Sequence, residues 1–440
     1  MRIGIFGSYN HTSIGDHAIL EGILVQFRTR LGHCSFVVFS MNPDATQSML
    51  FSCKDVHVVQ GTPARVKTVR DTQSGGHRVQ PNGLRRLVKR CLSCLPWPIA
   101  SFLRRFYSGS LVIKHDVSLL CNVSFWRQIK KEIQSLNVLL IGGGNLLMDI
   151  YTSWPVYPLI YVILATRARV PVMFYAVGAG PLRSRRARFY FRWACRMAGA
   201  ITLRDKESLD FVAETLGLKR DKLVLSADPA LCLSTGEQAM RAKTGGQLRI
   251  AMTVVPYYRP GYWPYPDAAV YERYCRAMAQ IVERVLDRFD ARLLFFATNT
   301  HDIAVAPDVA GTLGACNRVE VIEDRLTVQE LLSLLANCHL TIGTRLHSLI
   351  LSFVAGTPAL AFSYQPKVTY FYKRIGMEMH AIHLNRDIDV SPIRVIHLLN
   401  ELHRDREAIR AHMRRELTRI QTEAQASVDI TVRLAKGVAG

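Results

Sequence analysis

The chain has 440 residues, 49% hydrophobic and 21% charged, which is ordinary for a folded protein and enough for two or three domains with full cores. Its 56 Lys and Arg against 35 Asp and Glu leave a formal charge of +21, which predicts an anionic partner: nucleic acid, a membrane surface or a phosphorylated substrate. No nucleic-acid-binding signature accompanies the charge, so no nucleic-acid partner is expected, and no apolar run approaches the roughly 18–20 residues of a spanning helix.

The opening "MRIGIFGSYN" reads at once as a strand, so no signal peptide is expected. "DHAILEGILVQFRTRLG" follows with helical spacing at Ile19, Ile23 and Phe27 and a closing Gly32. Strand-length runs then recur: "CSFVVFS", "VHVVQG", "NVLLIGGG", "VPVMFYAVGAGP", "AITLRD" and "KLVLSADP", with helix-like pieces such as 206–217 between them. Most are continuously apolar, as strands covered on both faces tend to be, and the β-then-α rhythm predicts a parallel sheet. The polar stretch 232–247 reads as a linker. A second series follows: "LRIAMTVV", a helix near 268–289, "ARLLFFATN", "RVEVIED", a helix at 327–337 and "CHLTIG". Beyond 390 the pattern is helical and highly charged. The expectation is an α/β protein of two Rossmann-like domains facing a cleft, 1–235 and 236–390, with a C-terminal helical segment, 391–440.

One region breaks the rhythm. Residues 61–110 hold ten Lys or Arg against a single acid, Asp71, and read as an insertion. Its centre, "LRRLVKRCLSCLPWPIASFLRRFY", brackets Trp97, Ile99 and Phe102 with Arg85, Arg86, Lys89, Arg90, Arg104 and Arg105. Too short to span a bilayer and interrupted by Pro96 and Pro98, it suits the interface of an anionic leaflet; the plain alternative is a solvated loop packed on its own domain. The ten cysteines are scattered, and Cys91 with Cys94 forms a lone CxxC, weak support for zinc. Free thiols in a reducing cytoplasm are expected, with no metal.

Ligands of open α/β sheets bind beyond the carboxyl ends of the strands. Polar, glycine-bearing loops fall repeatedly there: "GSYNHTSIGD" ending at Asp16; Gly142, Gly143, Gly144, Asn145 and Asp149 in "GGGNLLMD"; Gly178 and Gly180 in "GAGP"; Arg204-Asp205; Asp228-Pro229; Thr344-Arg345-Leu346-His347-Ser348; and Ser363-Tyr364 with Lys367. Asp16 and Asp205 have a plain alternative as helix caps, and Asp149 as a solvated or turn-capping residue. Arg345 and His347 stand two apart in an otherwise apolar run. If 343–347 is extended, both side chains converge on one anion in front of a helix that begins near Ser348. The alternative is an internal salt bridge for Arg345 and a satisfied core histidine.

"GTRLHSLILSFVAGTPALAFSYQPK" resembles the C-terminal signature of the polysaccharide pyruvyl transferases, the colanic-acid type especially. Further matches run in the family's order over roughly residues 1–385: "GD" at 15–16 with the following "AIL", "GGGNLLMD", the "GP" turn at 180–181, "LRDKES" at 203–208 and "ADPAL" at 227–231. The resemblance implies a glycosyltransferase-B-like fold. It also implies transfer of a pyruvyl group from phosphoenolpyruvate to two sugar hydroxyls, giving a cyclic ketal and phosphate. By the motif match, Arg345 and His347 belong to the phosphoenolpyruvate site and Arg204 is a second anion-binding arginine. Val177 and Ile14 stand where relatives often carry polar residues, which bears on acceptor recognition.

Chemistry agrees with the donor. Arginine's planar fork suits a carboxylate and a phosphate. Histidine is a natural proton donor to the methylene carbon. Asp16 is the candidate base for a sugar hydroxyl, Lys367 a counter-charge for the leaving phosphate, and Thr344 and Ser348 complete the donor crest. The glycine loops, Asn145, Asp149 and Tyr364 are expected to face the acceptor or the cleft. No cofactor is expected beyond phosphoenolpyruvate as co-substrate. The expected partners are a lipid-linked saccharide acceptor and an anionic membrane surface, at the inner face of the cytoplasmic membrane. The rival enzyme is a glycosyltransferase of the same architecture using a nucleotide sugar, although no base- or ribose-reading groups are evident. A non-catalytic scaffold of envelope assembly is the third reading.

Overall fold

A computed structural model describes residues 1–9, 12–50, 53–63, 99, 111–235, 247–263, 265–313 and 316–437. The basic segment, Cys91 and Cys94, and the linker over 236–246 therefore lie outside the described residues, apart from 61–63 and 99.

Two parallel sheets carry the fold. The first holds β1 (Arg2–Phe6), β2 (Ser35–Ser40), β3 (Val56–Gln60), β4 (Val138–Gly142), β5 (Val172–Val177), β6 (Ala200–Leu203) and β7 (Leu223–Leu225), in the order β3-β2-β1-β4-β5-β6-β7. Every residue of β4 and β5 is buried, which is why these strands read as unbroken apolar runs. The second sheet holds β8 (Leu248–Met252), β9 (Ala291–Phe295), β10 (Val319–Val321), β11 (Leu340–Gly343), β12 (Ala359–Ser363) and β13 (Ala381–His383), in the order β10-β9-β8-β11-β12-β13. Both sheets wind outward from their first strand and then reverse, as dinucleotide-type folds do. The reversal falls between β1 and β4 in one sheet and between β8 and β11 in the other. At such a switch point the two connections leave in opposite directions, which opens a crevice beyond the strand ends.

The helices follow their local signals. Asp205 caps Lys206–Leu216 by accepting from the Ser208 N–H at 2.7 Å, and Gly217 ends that helix at φ +61°. Thr327 and Glu330 form a capping box on Val328–Ala336. After residue 390 the chain is helical over Pro392–Arg404 and Arg406–Ala435.

The chain forms two compact units. One comprises Met1–Ser8, Leu31–Leu225 and Ser427–Gly440; the other comprises Tyr9–Arg30 and Ser226–Ala426. The helix Ile14–Leu31 thus belongs almost wholly with the second sheet. Its close seat explains this: a Cβ on Gly22 would stand 2.0 Å from the Pro229 carbonyl oxygen, so only glycine lets the helix lie so near the Asp228-Pro229 turn.

Candidate active site

In the unit of the second sheet, the segments beyond β8, β9, β11 and β12 assemble around Arg345. The crest after β11 is short. Thr344 is fully buried; its N–H donates to Thr253 Oγ1 at 2.9 Å and its hydroxyl to the Thr253 carbonyl at 3.1 Å. Ser348, also fully buried, donates its hydroxyl to the Arg345 carbonyl at 2.7 Å. The Thr344 hydroxyl therefore fastens the crest to the segment after β8 and the Ser348 hydroxyl ties the crest to itself, so both side chains have partners within this unit. The extended stretch is also shorter than expected. Arg345 is the extended N-cap (φ −90°, ψ 139°) and the helix Leu346–Val354 begins at once, so His347 is already helical. The two side chains accordingly have separate partners.

Arg345 finds a carboxylate within its own unit. Its Nε donates to Asp302 Oδ2 at 3.0 Å and its Nη2 to Asp302 Oδ1 at 2.5 Å, and the Asp302 side chain has no exposure. Nη1 donates to the Tyr364 hydroxyl at 3.0 Å, and Nη2 also donates to the Tyr262 hydroxyl at 3.3 Å. Among the described residues four of the five guanidinium hydrogens are thus engaged, which leaves one on Nη1. Burial pushes the Asp302 carboxyl up, and the Arg345 guanidinium opposes that rise. Burial by itself would lower Arg345, but the oxygens of Tyr364 and Asp302 outweigh it and hold the guanidinium well above its ordinary value. The internal salt bridge is therefore real. It does not close the site, because a phenol that accepts from arginine keeps its own O–H to donate. Tyr262, Tyr364 and Nη1 can together offer three hydrogens to one anion.

His347 occupies a different niche. Its Nε2 is buried, makes no hydrogen bond among the described residues, and stands 3.7 Å from Asp228 Oδ2, an ion pair whenever the imidazole is protonated. The ring's other side is fixed by Gly15, where an added Cβ would lie 2.1 Å from Nδ1. Asp228 is itself oriented by accepting the Ala230 N–H at 3.1 Å. The N-terminus of the helix Ile14–Leu31 is tied to the segment after β9: the Ile14 N–H donates to the Thr298 carbonyl at 3.0 Å, and the Thr300 N–H to the Thr12 carbonyl at 2.9 Å. Asp16, half-buried in the first turn of that helix, follows the glycine that the imidazole touches. The structure thus brings His347, Asp228 and the Gly15-Asp16 turn together. Lys367 is half-buried in the first turn of Pro366–Arg374.

The other candidates form a cluster in the unit of the first sheet. Gly143, Gly144 and Gly180 all have positive φ (71°, 74° and 87°), where side chains are disfavoured. The Gly178 N–H donates to the Gly144 carbonyl at 2.8 Å, and Asn145 Nδ2 donates to the Gly180 carbonyl at 2.8 Å, so the loop that begins at Gly142 is laced to the one after β5. Arg204 is buried against them. Its Nε donates to Asp205 Oδ2 at 3.3 Å, and a Cβ on Gly178 would stand 2.8 Å from that nitrogen. Asp149 accepts the backbone N–H groups of Arg183 and Ser184 at 2.6–3.0 Å. Burial pushes its carboxyl up, but these bonds outweigh burial and hold it below its usual range. Asp149 therefore clamps the loop at Arg183-Ser184, as its turn-capping alternative describes.

The sequence does not mark Asp302 or Tyr262 as site residues, and it offers Asp228 only as a strand-end residue within the "ADPAL" match. Asp302 could have been found by applying the strand-end rule to "FFATNTHD", the polar run beyond β9. No group of His, Cys, Asp and Glu among the described residues is arranged to hold a metal ion.

Solved structures share the architecture. A glycosyltransferase from Rickettsia africae superposes with a TM-score of 0.56 at 9% identity, covering 99% of this chain and 98% of that one. Anabaena Alr3699/HepE in complex with UDP gives 0.54 at 11% identity, covering 100% and 99%. These likenesses establish a glycosyltransferase-B-like fold of two Rossmann-type sheets. Among characterised sequences, the amylovoran biosynthesis protein AmsJ of Erwinia amylovora is 24% identical over 392 residues, 86% of each chain. The model of the polysaccharide pyruvyl transferase family matches residues 14–366, a span that takes in Gly15, Arg204, Asp228, Asp302, Arg345 and His347. The chain therefore belongs to the polysaccharide pyruvyl transferase family and is a transferase of polysaccharide biosynthesis.

Proposed function

We propose that the protein transfers the pyruvyl group of phosphoenolpyruvate to two hydroxyls of one sugar in a bacterial envelope or exopolysaccharide precursor, forming a cyclic ketal and releasing phosphate. The observation that carries this reading is the Arg345 cluster beside the β8/β11 switch point: a half-buried cation with one hydrogen free among the described residues, flanked by two phenols able to donate. Such a cluster suits one anionic end of phosphoenolpyruvate, and the first-turn N–H groups of Leu346–Val354 add to it. We assign Lys367, in the same unit, to the other end, and Arg204 stays a proposed anion-binding arginine by its motif match.

In the proposed reaction His347 delivers a proton to the methylene carbon, which becomes a methyl group, while one sugar oxygen bonds to C2 and gives its proton to a base, Asp16. The C2–O bond to phosphate then breaks as the second sugar oxygen bonds to C2, and the second hydroxyl proton leaves with the phosphate. Asp228 opposite Nε2 and Gly15 against Nδ1 hold the imidazole in one orientation. Arg345→Lys tests the donor site. It retains the charge but cannot span Asp302, Tyr262 and Tyr364, so phosphoenolpyruvate affinity, read by calorimetry, should fall by about 1.5–3 kcal/mol with the fold intact. Unchanged affinity refutes the assignment, and thermal protection by nucleotide sugars instead of phosphoenolpyruvate favours the glycosyltransferase reading.

The same proposal sets the enzyme at the inner face of the cytoplasmic membrane with a lipid-linked acceptor. Its support is the sequence 84–107, whose six bracketing cations would each contribute on the order of 1 kcal/mol near an anionic leaflet. No helix among the described residues is long and apolar enough to cross a membrane. Binding to anionic liposomes should be salt-sensitive and lost when the six cations become Gln. Equal binding by both proteins, or no binding by either at low salt, rules it out.

A further inference from the structure

We propose that the loop 256–266 is a stacking platform for the acceptor sugar, an inference that rests on the acceptor being a saccharide and deepens the reading above. The loop leaves the carboxyl end of β8, one strand from the crest that bears Arg345. It reads "PYYRPGYWPYP" and carries five aromatic side chains between residues 257 and 265. Only Tyr257 among them is core, packed near Tyr274 and Tyr364. Tyr258, Tyr262 and Trp263 are half-exposed and Tyr265 is 77% exposed, so burial does not account for their aromatic character.

The loop is held stiffly for a surface segment. Tyr258 sits at φ +59°, a region that bulky residues rarely occupy and that the surroundings must enforce. The enforcement is visible. Its carbonyl accepts the Asp267 N–H at 2.9 Å, its ring stacks on Trp263 (5.2 Å, 27°), and the Arg386 guanidinium lies 5.2 Å from its centroid while pairing with Asp267 at 2.6 Å. Pro256, Pro260 and Pro266 remove further freedom. Strain of this kind persists where geometry serves a function, and a preformed aromatic surface binds without paying for its own ordering.

Its chemistry fits a sugar. One face of a pyranose presents C–H groups made electropositive by the neighbouring oxygens, which suits the electron-rich faces of Trp and Tyr; the hydroxyl rim suits phenol tips. The platform is also continuous with the donor cluster, since Tyr262 bonds Arg345 and Trp263 lies 6.1 Å from Tyr364. A neutral diol on the platform would thus stand beside the anion on Arg345.

The test is saturation-transfer NMR on the full chain with methyl β-D-glucopyranoside and methyl β-D-galactopyranoside, phosphoenolpyruvate present, in wild type, Tyr265→Ala and Trp263→Leu. Wild type should pass saturation to the ring C–H protons of at least one glycoside, and each variant should weaken that binding about tenfold with phosphoenolpyruvate affinity unchanged. Should Trp263→Leu fail to fold, the exposed Tyr265→Ala carries the test. Glycoside signals retained in Tyr265→Ala and in any folded Trp263→Leu, no signal in wild type, or competition by UDP in place of the glycosides overturns the proposal. If wild type binds glycosides through these residues but does not bind phosphoenolpyruvate, the donor reading falls and the platform stands.

Discussion

Asp302→Asn separates an orienting carboxylate from an incidental one. The substitution preserves volume and removes one charge at a position with no side-chain exposure. The native carboxylate takes hydrogens from both Nε and Nη2 of Arg345. An amide can accept only through its oxygen and turns an NH2 group toward a guanidinium that has nothing to accept with. Breaking a buried ion pair on one side costs about 3–5 kcal/mol, and because the Arg345 side chain is 17% exposed and can draw on water, the lower end, about 3 kcal/mol, is expected. In a double-mutant cycle with Arg345→Met, urea unfolding should return a coupling of about 2–3 kcal/mol. The effect on phosphoenolpyruvate gives the sharper test, because its sign is diagnostic. Removing a negative charge near an anion site should strengthen anion binding by Coulomb's law alone. If Asp302 instead holds the guanidinium in register with Tyr262 and Tyr364, calorimetry should show weakening of about tenfold or more. Tighter or unchanged binding, or stability effects that simply add, would refute the orienting role.

Gly15→Ala puts a methyl 2.1 Å from the His347 ring, with an expected loss of about 1–3 kcal/mol in stability and a fall in turnover exceeding any fall in donor affinity; normal turnover would show that His347 need not be held. His347→Asn should reduce turnover by about 10²–10⁴-fold with donor binding largely retained, and near-normal turnover returns His347 to a packing role. Gly178→Ala should displace Arg204, weakening phosphoenolpyruvate binding if Arg204 is an anion ligand and leaving it unchanged if Arg204 is only structural. Burial pushes the Glu21 carboxyl up to about 7 against opposing contributions from Gln329 and Arg28. The folded state therefore favours its protonated form, so this contribution is complete below the ordinary carboxylate range and is lost as pH rises through about 7. Glu21→Gln should match wild-type stability near pH 4 and exceed it by up to about 3 kcal/mol at pH 8; parallel pH profiles would contradict this.

Both sheets were legible because fully covered parallel strands leave continuous apolar runs, as in β4 and β5. The strand β13 was not, since three residues with one exposed carry no such signal. The tension at Arg345 was also legible, but its partner was not. Asp302 lies 43 residues upstream, and only the adjacency of β9, β8 and β11 brings the two together. His347 shows the reverse: its importance was evident, while its niche depends on a helix-start glycine and a turn aspartate that meet through folding alone. The positive φ of Tyr258 had no sequence sign, because tyrosine does not advertise that conformation as glycine does.

The central claim is pyruvyl transfer from phosphoenolpyruvate to a sugar diol. Phosphoenolpyruvate labelled with ¹³C at C2, incubated with the protein and an envelope saccharide preparation, allows that carbon to be followed by NMR. The account predicts that the alkene signal gives way to a saccharide-linked ketal carbon, with phosphate released in equal amount and neither change in His347→Asn. A label that stays in phosphoenolpyruvate or appears only as free pyruvate, while the same preparation accepts a sugar from a nucleotide donor, would contradict it.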